Sequence, residues 1–266
     1  SDSVIKLYDT YKSKYDLLLC DDLPNINTFQ PIDIANSITV EMMNLFKIIS
    51  YHELLHISQD DKIKFDVLNL PCLKMIHYFH KLSSIVPTII LLKNNNNKER
   101  TRTIKYFLKL CVELKKLNNY NALFAVVCGL NNVVVQRVKV LWKIDKQHTK
   151  HFQKLCDLIS PYGNYKEYRK TIKENIKNDM IPYIGIPIAD IKHVLENDLY
   201  TETNDDFNWD VCNIIASVMD NFKNVKSDYM MKKNNEIINY ILSFKTCDDE
   251  DYLYEIASTI ANETNT

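Results

Sequence analysis

Apolar residues along most of the chain recur every three or four positions, the spacing that places them on one face of an α-helix. In Glu99–Leu117, for example, apolar side chains such as Ile104 and Phe107 fall on one side and lysines on the other. Helices are predicted at Val4–Leu19, Thr39–Ile49, Cys72–Leu92, Glu99–Leu117, Tyr120–Leu130, Val133–Trp142, Gln147–Ile159, Tyr165–Ile176, Ile188–Leu195, Phe207–Phe222, Asn235–Phe244 and Asp251–Asn262. No stretch has the period of two typical of a half-buried strand. The predicted fold class is all-α, with a single globular helical domain.

The segment Tyr120–Leu130 differs from the other predicted helices because it is apolar or small on nearly every face. A helix of this kind belongs in the middle of a domain, since no face can meet water comfortably. Gly129 and the asparagines after Leu130 predict a sharp helix end, because glycine and asparagine are common there. We therefore expect a buried helix that presents the polar residue Asn131 at its tip.

A second unusual segment is Ile181–Tyr200, whose first part contains Pro182, Gly185 and Pro187. Proline fixes the backbone, so this start should be irregular and stiff before a short helix and an acidic turn. The pattern predicts a protruding helical hairpin at about residues 181–206. We divide the chain into an N-terminal helix and connector (1–31) and one domain (32–266), with no internal repeat.

The composition excludes several functions. Net charge is −1, which favours neither nucleic acid nor an anionic membrane as partner. Only three glycines occur, too few and too scattered for a Gly-rich nucleotide-phosphate loop. Seven scattered cysteines without a CxxC pair are typical of a reducing compartment. No apolar run approaches the ~20 residues of a membrane span, and no secretory signal is evident. The predicted location is cytoplasmic.

One motif, His52–Glu53–Leu54–Leu55–His56, matches the HExxH signature of zinc proteases. Gln59 stands where the longer form of that signature has glycine, and no glutamate lies between Glu53 and Glu99 to supply a distal ligand. We therefore reject the zinc-protease interpretation and predict no metal site. No arrangement of residues indicates covalent catalysis, and no cofactor is expected.

Four blocks of the sequence, read together, resemble the catalytic domain of Ras-type guanine-nucleotide exchange factors. They are DIANSITVEMMNLFKIISYHELL (Asp33–Leu55), NLPCLKMIHYFHKLSSIV (Asn69–Val86), ELKKLNNYNALFAVVCGLNNVVVQRVKVLW (Glu113–Trp142) and IPYIGIPIADIKHVLEND (Ile181–Asp198). The ending Asp248–Glu263 is also similar to the closing segment of that family. The first block explains the HExxH match without zinc.

The resemblance implies an all-helical domain that binds a Ras-subfamily small GTPase (Ras, Rap or Ral-like). Such a domain holds switch II of the GTPase firmly and uses a helical hairpin to displace switch I, so that GDP leaves. Binding is tightest when the GTPase is nucleotide-free. Nothing in this action requires a cofactor, and recruitment to a membrane would come through the GTPase.

On the switch II side, the resemblance assigns five residues of this chain: His77, Leu123, Asn131, Gln136 and Tyr165. Leu123 would be an apolar anchor facing outward, although plain core packing is the alternative for this residue. Asn131 would be the polar tip that pairs with switch II. Tyr165 would offer a hydroxyl at the end of an apolar ring, a combination common at interface hot spots.

On the hairpin, the resemblance assigns Tyr183 as an aromatic anchor near the base. Ile191 and Lys192 would lie on the face that displaces switch I. Glu196 would occupy the acidic position that disturbs the magnesium and phosphate side of the nucleotide site. A solvated turn residue is the alternative for Glu196.

Several positions depart from the family pattern. His77 stands where many relatives carry arginine, Gln136 replaces a common aromatic residue, and Lys192 places a charge on a face that is often less polar. Each change could alter which GTPase is recognised. Two hypotheses follow: an active exchange factor, or a GTPase-binding scaffold module that has lost exchange activity.

Overall fold

A computed structural model of the chain describes residues 25–59, 70–196, 208–225 and 227–263. The helix predicted at Val4–Leu19 and the tip of the predicted hairpin lie outside these residues. The described part contains twelve α-helices, numbered in chain order α1 (Pro31–Ile48), α2 (Tyr51–Gln59), α3 (Pro71–Leu92), α4 (Asn97–Lys116), α5 (Tyr120–Leu130), α6 (Val133–Arg137), α7 (Lys146–Ile159), α8 (Tyr162–Asn175), α9 (Gly185–Leu195), α10 (Trp209–Lys223), α11 (Asn235–Ser243) and α12 (Glu250–Glu263). No strand occurs among the described residues, so the all-α prediction is confirmed.

Helix starts follow local chemistry. Pro31 and Pro71 occupy first-turn positions of α1 and α3, where the missing N–H of proline costs nothing. Asparagine or aspartate side chains accept a backbone N–H at the starts of α4 to α7, α10 and α11. The prediction that a helix begins at Thr39 is wrong, because Thr39 is fully buried in the middle of α1.

The core is built around α5, which packs most extensively on α3. Every side chain of α5 is buried except that of Cys128, which is half-buried, as the all-round apolar pattern predicts. Pro87 lies inside α3 without ending it. Proline has no N–H for the carbonyl of Ser83 four residues earlier. That carbonyl oxygen and the Cβ of Val86 are the atoms nearest to a Cβ placed on Gly129, both at 2.7 Å. Gly129 is therefore required by the close approach of α5 to α3, not as the helix terminator that the sequence suggested.

Helix α3 is long and apolar enough, by length and composition, to cross a membrane, contrary to the expectation that no segment would pass that test. A buried core helix passes the same test. In the structure 56% of its most apolar window is buried inside the domain. Its packing against α5 accounts for its apolar character without a bilayer.

The hairpin helix α9 packs on two elements, the short helix α2 and the helix α10 that follows it in the chain. The last helix, α12, packs on α6 and α3, so the C-terminal segment completes the same core. Helix α9 is thus held against the domain along its described length.

Candidate functional site

The base of the hairpin is bonded directly to the start of the central helix α5. Tyr120 N donates to the carbonyl oxygen of Ile181 at 2.8 Å, and Ile181 N donates to that of Asn118 at 3.0 Å. The side-chain oxygen of Asn121 accepts from the N–H of Ile184 at 3.2 Å. These bonds fix where the chain leaves the core to form α9.

Two buried asparagines at this junction were missed by the sequence analysis. Asn119 and Asn121 are both fully buried. Asn119 caps α5 by accepting from Ala122 N at 3.0 Å, and its amide donates to the Thr39 hydroxyl at 3.0 Å. The sequence did contain a signal for them, since two asparagines flank Tyr120 at the start of an otherwise apolar helix. Polar side chains that are buried in such a place are almost always hydrogen-bonded.

An aromatic cluster covers α5 next to the hairpin base. The ring of Phe124 on α5 stacks on Tyr183 with centroids 4.4 Å apart, and it lies 5.1 Å from Tyr168 and 6.3 Å from Tyr165. Tyr183 N donates to the hydroxyl oxygen of Tyr168 at 2.8 Å. Burial raises the pKa of Tyr183 to about 12. The phenol of Tyr183 therefore stays neutral at physiological pH and cannot serve as a base.

Helix α8 is interrupted near its start by a kink, and Tyr165 lies in this non-helical turn. Gly163, Asn164 and Tyr165 all have left-handed φ values, of 61°, 55° and 56°. Left-handed conformations are uncommon for residues other than glycine and asparagine, so a tyrosine there indicates a locally imposed geometry. We call Gly163–Tyr165 the Tyr165 turn. It directs a half-buried ring toward Phe124 of the aromatic cluster.

At the other end of α5, Asn131 is exposed at the helix terminus, where the pattern placed it. Gln136 is half-buried, and its amide nitrogen donates to the carbonyl oxygen of Leu130 at 2.9 Å. Gln136 also lines an open groove of about 500 Å³ between α6 and α12, together with Arg137. The side chain of Gln136 thus closes the helix end beside Asn131.

Two of the assigned side chains do not reach the surface. Leu123 and Ile191 are both fully buried. The expectation that Leu123 faces outward is wrong, because α5 is surrounded by core on every side. Ile191 likewise belongs to the core and not to an exposed face of α9. Core packing, the alternative for Leu123, describes both residues.

The remaining assigned residues have accessible surface. His77 on α3, Asn131 and Glu196 are exposed, and Lys192 on α9 is half-buried. Glu196 follows the last turn of α9, and its N–H donates to the carbonyl oxygen of Lys192 at 3.1 Å. At 1.5 Å per residue, α9 carries Glu196 roughly 16 Å along its axis from the aromatic cluster. The accessible groups therefore form two regions, one around α5 and one at the far end of α9.

Comparison with known proteins identifies the arrangement. The RasGEF domain family matches residues 33–240. The chain belongs to the RasGEF domain family. The match begins two residues inside α1 and includes α9 and α10.

Relatives of this RasGEF domain come from several eukaryotes. The chain is 32% identical to Ras guanine nucleotide exchange factor P of Dictyostelium discoideum over 79% of its length. It is 28% identical to guanine nucleotide-releasing factor 2 of Drosophila melanogaster over 89%, and 28% identical to human Rap guanine nucleotide exchange factor 1 over 88%. The matched region covers 14%, 15% and 21% of these three proteins, respectively.

The HExxH glutamate of this RasGEF domain has a structural role. Glu53 N donates to the Ser50 hydroxyl at 3.1 Å, and Ser50 N donates back to the Glu53 carboxylate at 2.9 Å, which forms a capping box. The other carboxylate oxygen accepts from Cys72 N at 3.2 Å. Glu53 therefore joins the N-termini of α2 and α3. Among the described residues, no group of three or more His, Cys, Asp or Glu side chains is placed to hold a metal ion.

We expect Glu53→Ala to lower the free energy of unfolding by about 1–3 kcal/mol, because it leaves the buried N–H of Cys72 and the partly buried N–H of Ser50 without an acceptor. The control His52→Ala removes an exposed side chain of the same motif and should change stability by less than about 0.5 kcal/mol. Urea unfolding of the three proteins measures both values. Equal stability of Glu53→Ala and wild type would contradict the structural role.

Proposed function

We propose that this chain accelerates the release of GDP from a Ras-family small GTPase. The observation that carries the proposal is the bonded junction between α5 and the hairpin base, within a chain of the RasGEF domain family. Exchange requires that the surface supporting switch II and the element aimed at the nucleotide keep a fixed distance and orientation relative to each other. The three hydrogen bonds between residues 118–121 and 181–184 supply that relation.

The energetics favour a binding mechanism without covalent chemistry. Nanomolar to picomolar nucleotide affinity corresponds to roughly 12–16 kcal/mol, which a protein can offset only over a wide interface. By reciprocity, the factor by which the exchanger weakens nucleotide binding equals the factor by which nucleotide weakens exchanger binding. The exchanger must therefore bind best when the nucleotide site is empty. Apolar surface, neutral phenols and one correctly placed carboxylate suffice for this task.

In the proposed complex, the region around α5 contacts switch II through His77, Asn131, Tyr165 and the accessible edge of Tyr183. Leu123 supports this surface from the core. At the far end of α9, Lys192 faces switch I and Glu196 approaches the phosphate side of the nucleotide pocket. A carboxylate near phosphate destabilises bound nucleotide by repulsion between like charges. Ile191 anchors this part of α9 to the domain.

The proposed partner is a Ras-, Rap- or Ral-like GTPase, and the proposed site of action is cytoplasmic, at a membrane where the GTPase resides. The proposal is tested by incubating such GTPases, loaded with fluorescent GDP, with the chain and excess unlabelled nucleotide. We expect release from at least one of them to accelerate at least tenfold over its intrinsic rate. Intrinsic release rates for every GTPase tested would contradict the proposal.

The second candidate is a GTPase-binding scaffold module without exchange activity. It is favoured by the departures at two positions: the amide of Gln136 is engaged by the Leu130 carbonyl, and Lys192 places a charge on α9. A scaffold would bind its GTPase with an affinity that added nucleotide does not change. An exchange factor would release the GTPase when GDP is added.

A further inference from the structure

One guanidinium connects the two regions of the site. Arg169 on α8 directs its Nη2 at both carboxylate oxygens of Asp190 on α9, at 2.7 and 2.8 Å. Its Nε donates to the carbonyl oxygen of Asn164 at 2.8 Å, and Nη2 also lies 3.1 Å from the Asn164 side-chain oxygen. Arg169 therefore holds the Tyr165 turn and the hairpin helix at the same time.

Both ends of this link are geometrically constrained. On one side, Asn164 and Tyr165 have left-handed backbones, and the guanidinium binds both oxygens of Asn164. A planar donor group with several N–H bonds in a fixed geometry suits such convergent acceptors better than the ammonium of lysine. On the other side, Asp190 lies in the middle of α9, one residue before the buried Ile191.

The Arg169–Asp190 pair lies in a cleft between α8 and α9. Helix α9 packs closely on α2 and α10, whereas α8 approaches it across a cleft of about 290 Å³. Arg169 and Asp190 both line this cleft, as does Lys173. The side chains of Arg169 and Asp190 are only 35% and 24% exposed, so solvent screens this ion pair less than it screens a fully exposed pair.

We propose that Arg169 is a positioning residue that couples the Tyr165 turn to hairpin helix α9. In this role it would keep the surface that contacts switch II at a fixed position relative to the hairpin when a GTPase binds. The inference deepens the proposed function and rests on it. Arg169 itself need not touch the GTPase.

The link is tested first in the chain alone by hydrogen exchange of backbone amides. Asp190→Asn keeps the size of the side chain but removes the charge, and amides of α9 should then exchange roughly 3- to 10-fold faster because the helix opens more often. Arg169→Ala should accelerate exchange both in α9 and in residues 163–169. The matched control is Glu174→Gln, which removes the same charge from an exposed pair on α8, Lys170–Glu174 at 4.0 Å. The control should change neither segment.

The second measurement is the rate of GDP release at saturating exchanger. Asp190→Asn should lower the maximal rate roughly 3- to 10-fold, a smaller loss than the ~100-fold that a 1 Å misplacement can cause. The concentration of exchanger that gives half-maximal rate and the melting temperature should change little. The charge-swapped double variant Arg169→Asp, Asp190→Arg should restore part of the rate and the protection of α9. It should not restore residues 163–169, because the arginine would no longer reach Asn164.

Failure of the proposed role of Arg169 can be distinguished from failure of the proposed function. If wild type does not accelerate GDP release, the proposed function fails, and hydrogen exchange alone then decides whether the link exists. Unchanged exchange of α9 in Asp190→Asn would overturn the inference. A double variant no better than Arg169→Asp would also overturn it, because the two charges would then not act as a pair. A melting temperature that falls in proportion to the rate would overturn it too, since this result indicates a general loss of structure.

Discussion

Replacing Glu196 with alanine is expected to slow GDP release roughly 10- to 100-fold while leaving the fold intact. The side chain is exposed at the end of α9, so its removal breaks no core contact. In the proposed complex it lies near the phosphates, where a unit charge at about 4 Å is worth several kcal/mol at a protein surface. Removing one well-placed electrostatic group commonly costs 100-fold or more in enzymes, and an exchange factor acts on the same principle. Stopped-flow release of fluorescent GDP measures the effect.

The control for this prediction is Glu255→Ala, which removes an equally charged, exposed residue from α12, away from the hairpin. It should leave the release rate unchanged. Glu196→Gln distinguishes charge from shape, because it keeps the size of the side chain. Wild-type rates for both Glu196 variants would assign Glu196 to the solvated turn and remove it from the mechanism.

Replacing Asn119 with alanine is expected to lower the free energy of unfolding by about 2–4 kcal/mol, the largest stability effect that we predict. Loss of a helix cap costs about 1 kcal/mol. The buried Thr39 hydroxyl then loses its hydrogen-bond partner as well, at about 1–3 kcal/mol. For a domain of this size the melting temperature should fall by roughly 5–15 °C. Thermal and urea unfolding provide the measurement.

The matched control is Asn96→Ala, which removes the same cap from the start of α4, where the Asn96 side chain accepts from Glu99 N at 3.0 Å on the exposed surface. Because water can replace the cap there, the loss should be about 1 kcal/mol. Equal losses for the two variants would show that the buried network of Asn119 adds nothing beyond capping. Asn119 would then be an ordinary N-cap.

The presence of helices and the central position of α5 were predictable, because both depend on which positions along the chain are apolar. Tyr120–Leu130 is apolar on all faces, and only the interior of a domain accepts such a helix. The exposed position of Asn131 followed from the abrupt end of that apolar run. Family resemblance added expectations for the roles of residues, which periodicity alone does not contain.

What the sequence did not reveal depends on contacts between distant segments. Leu123 was expected to face outward, but the burial of a single side chain depends on which helices surround it. Gly129 resembled a helix terminator, whereas its function is to admit the Ser83 carbonyl of α3. Arg169 and Asp190 lie 21 positions apart in sequence, and a lone arginine among lysines carries no local signal of such a bond.

Whether this chain is a catalyst of nucleotide exchange is decided by measuring turnover. A substoichiometric amount of the chain is added to a Ras-family GTPase loaded with fluorescent GDP, in excess unlabelled GTP, and release is followed to completion. We expect the whole GTPase population to lose its GDP in a single accelerated phase, because each exchanger is freed when nucleotide refills the site. Release at the intrinsic rate, or accelerated release that stops at one GTPase per exchanger, would contradict this expectation.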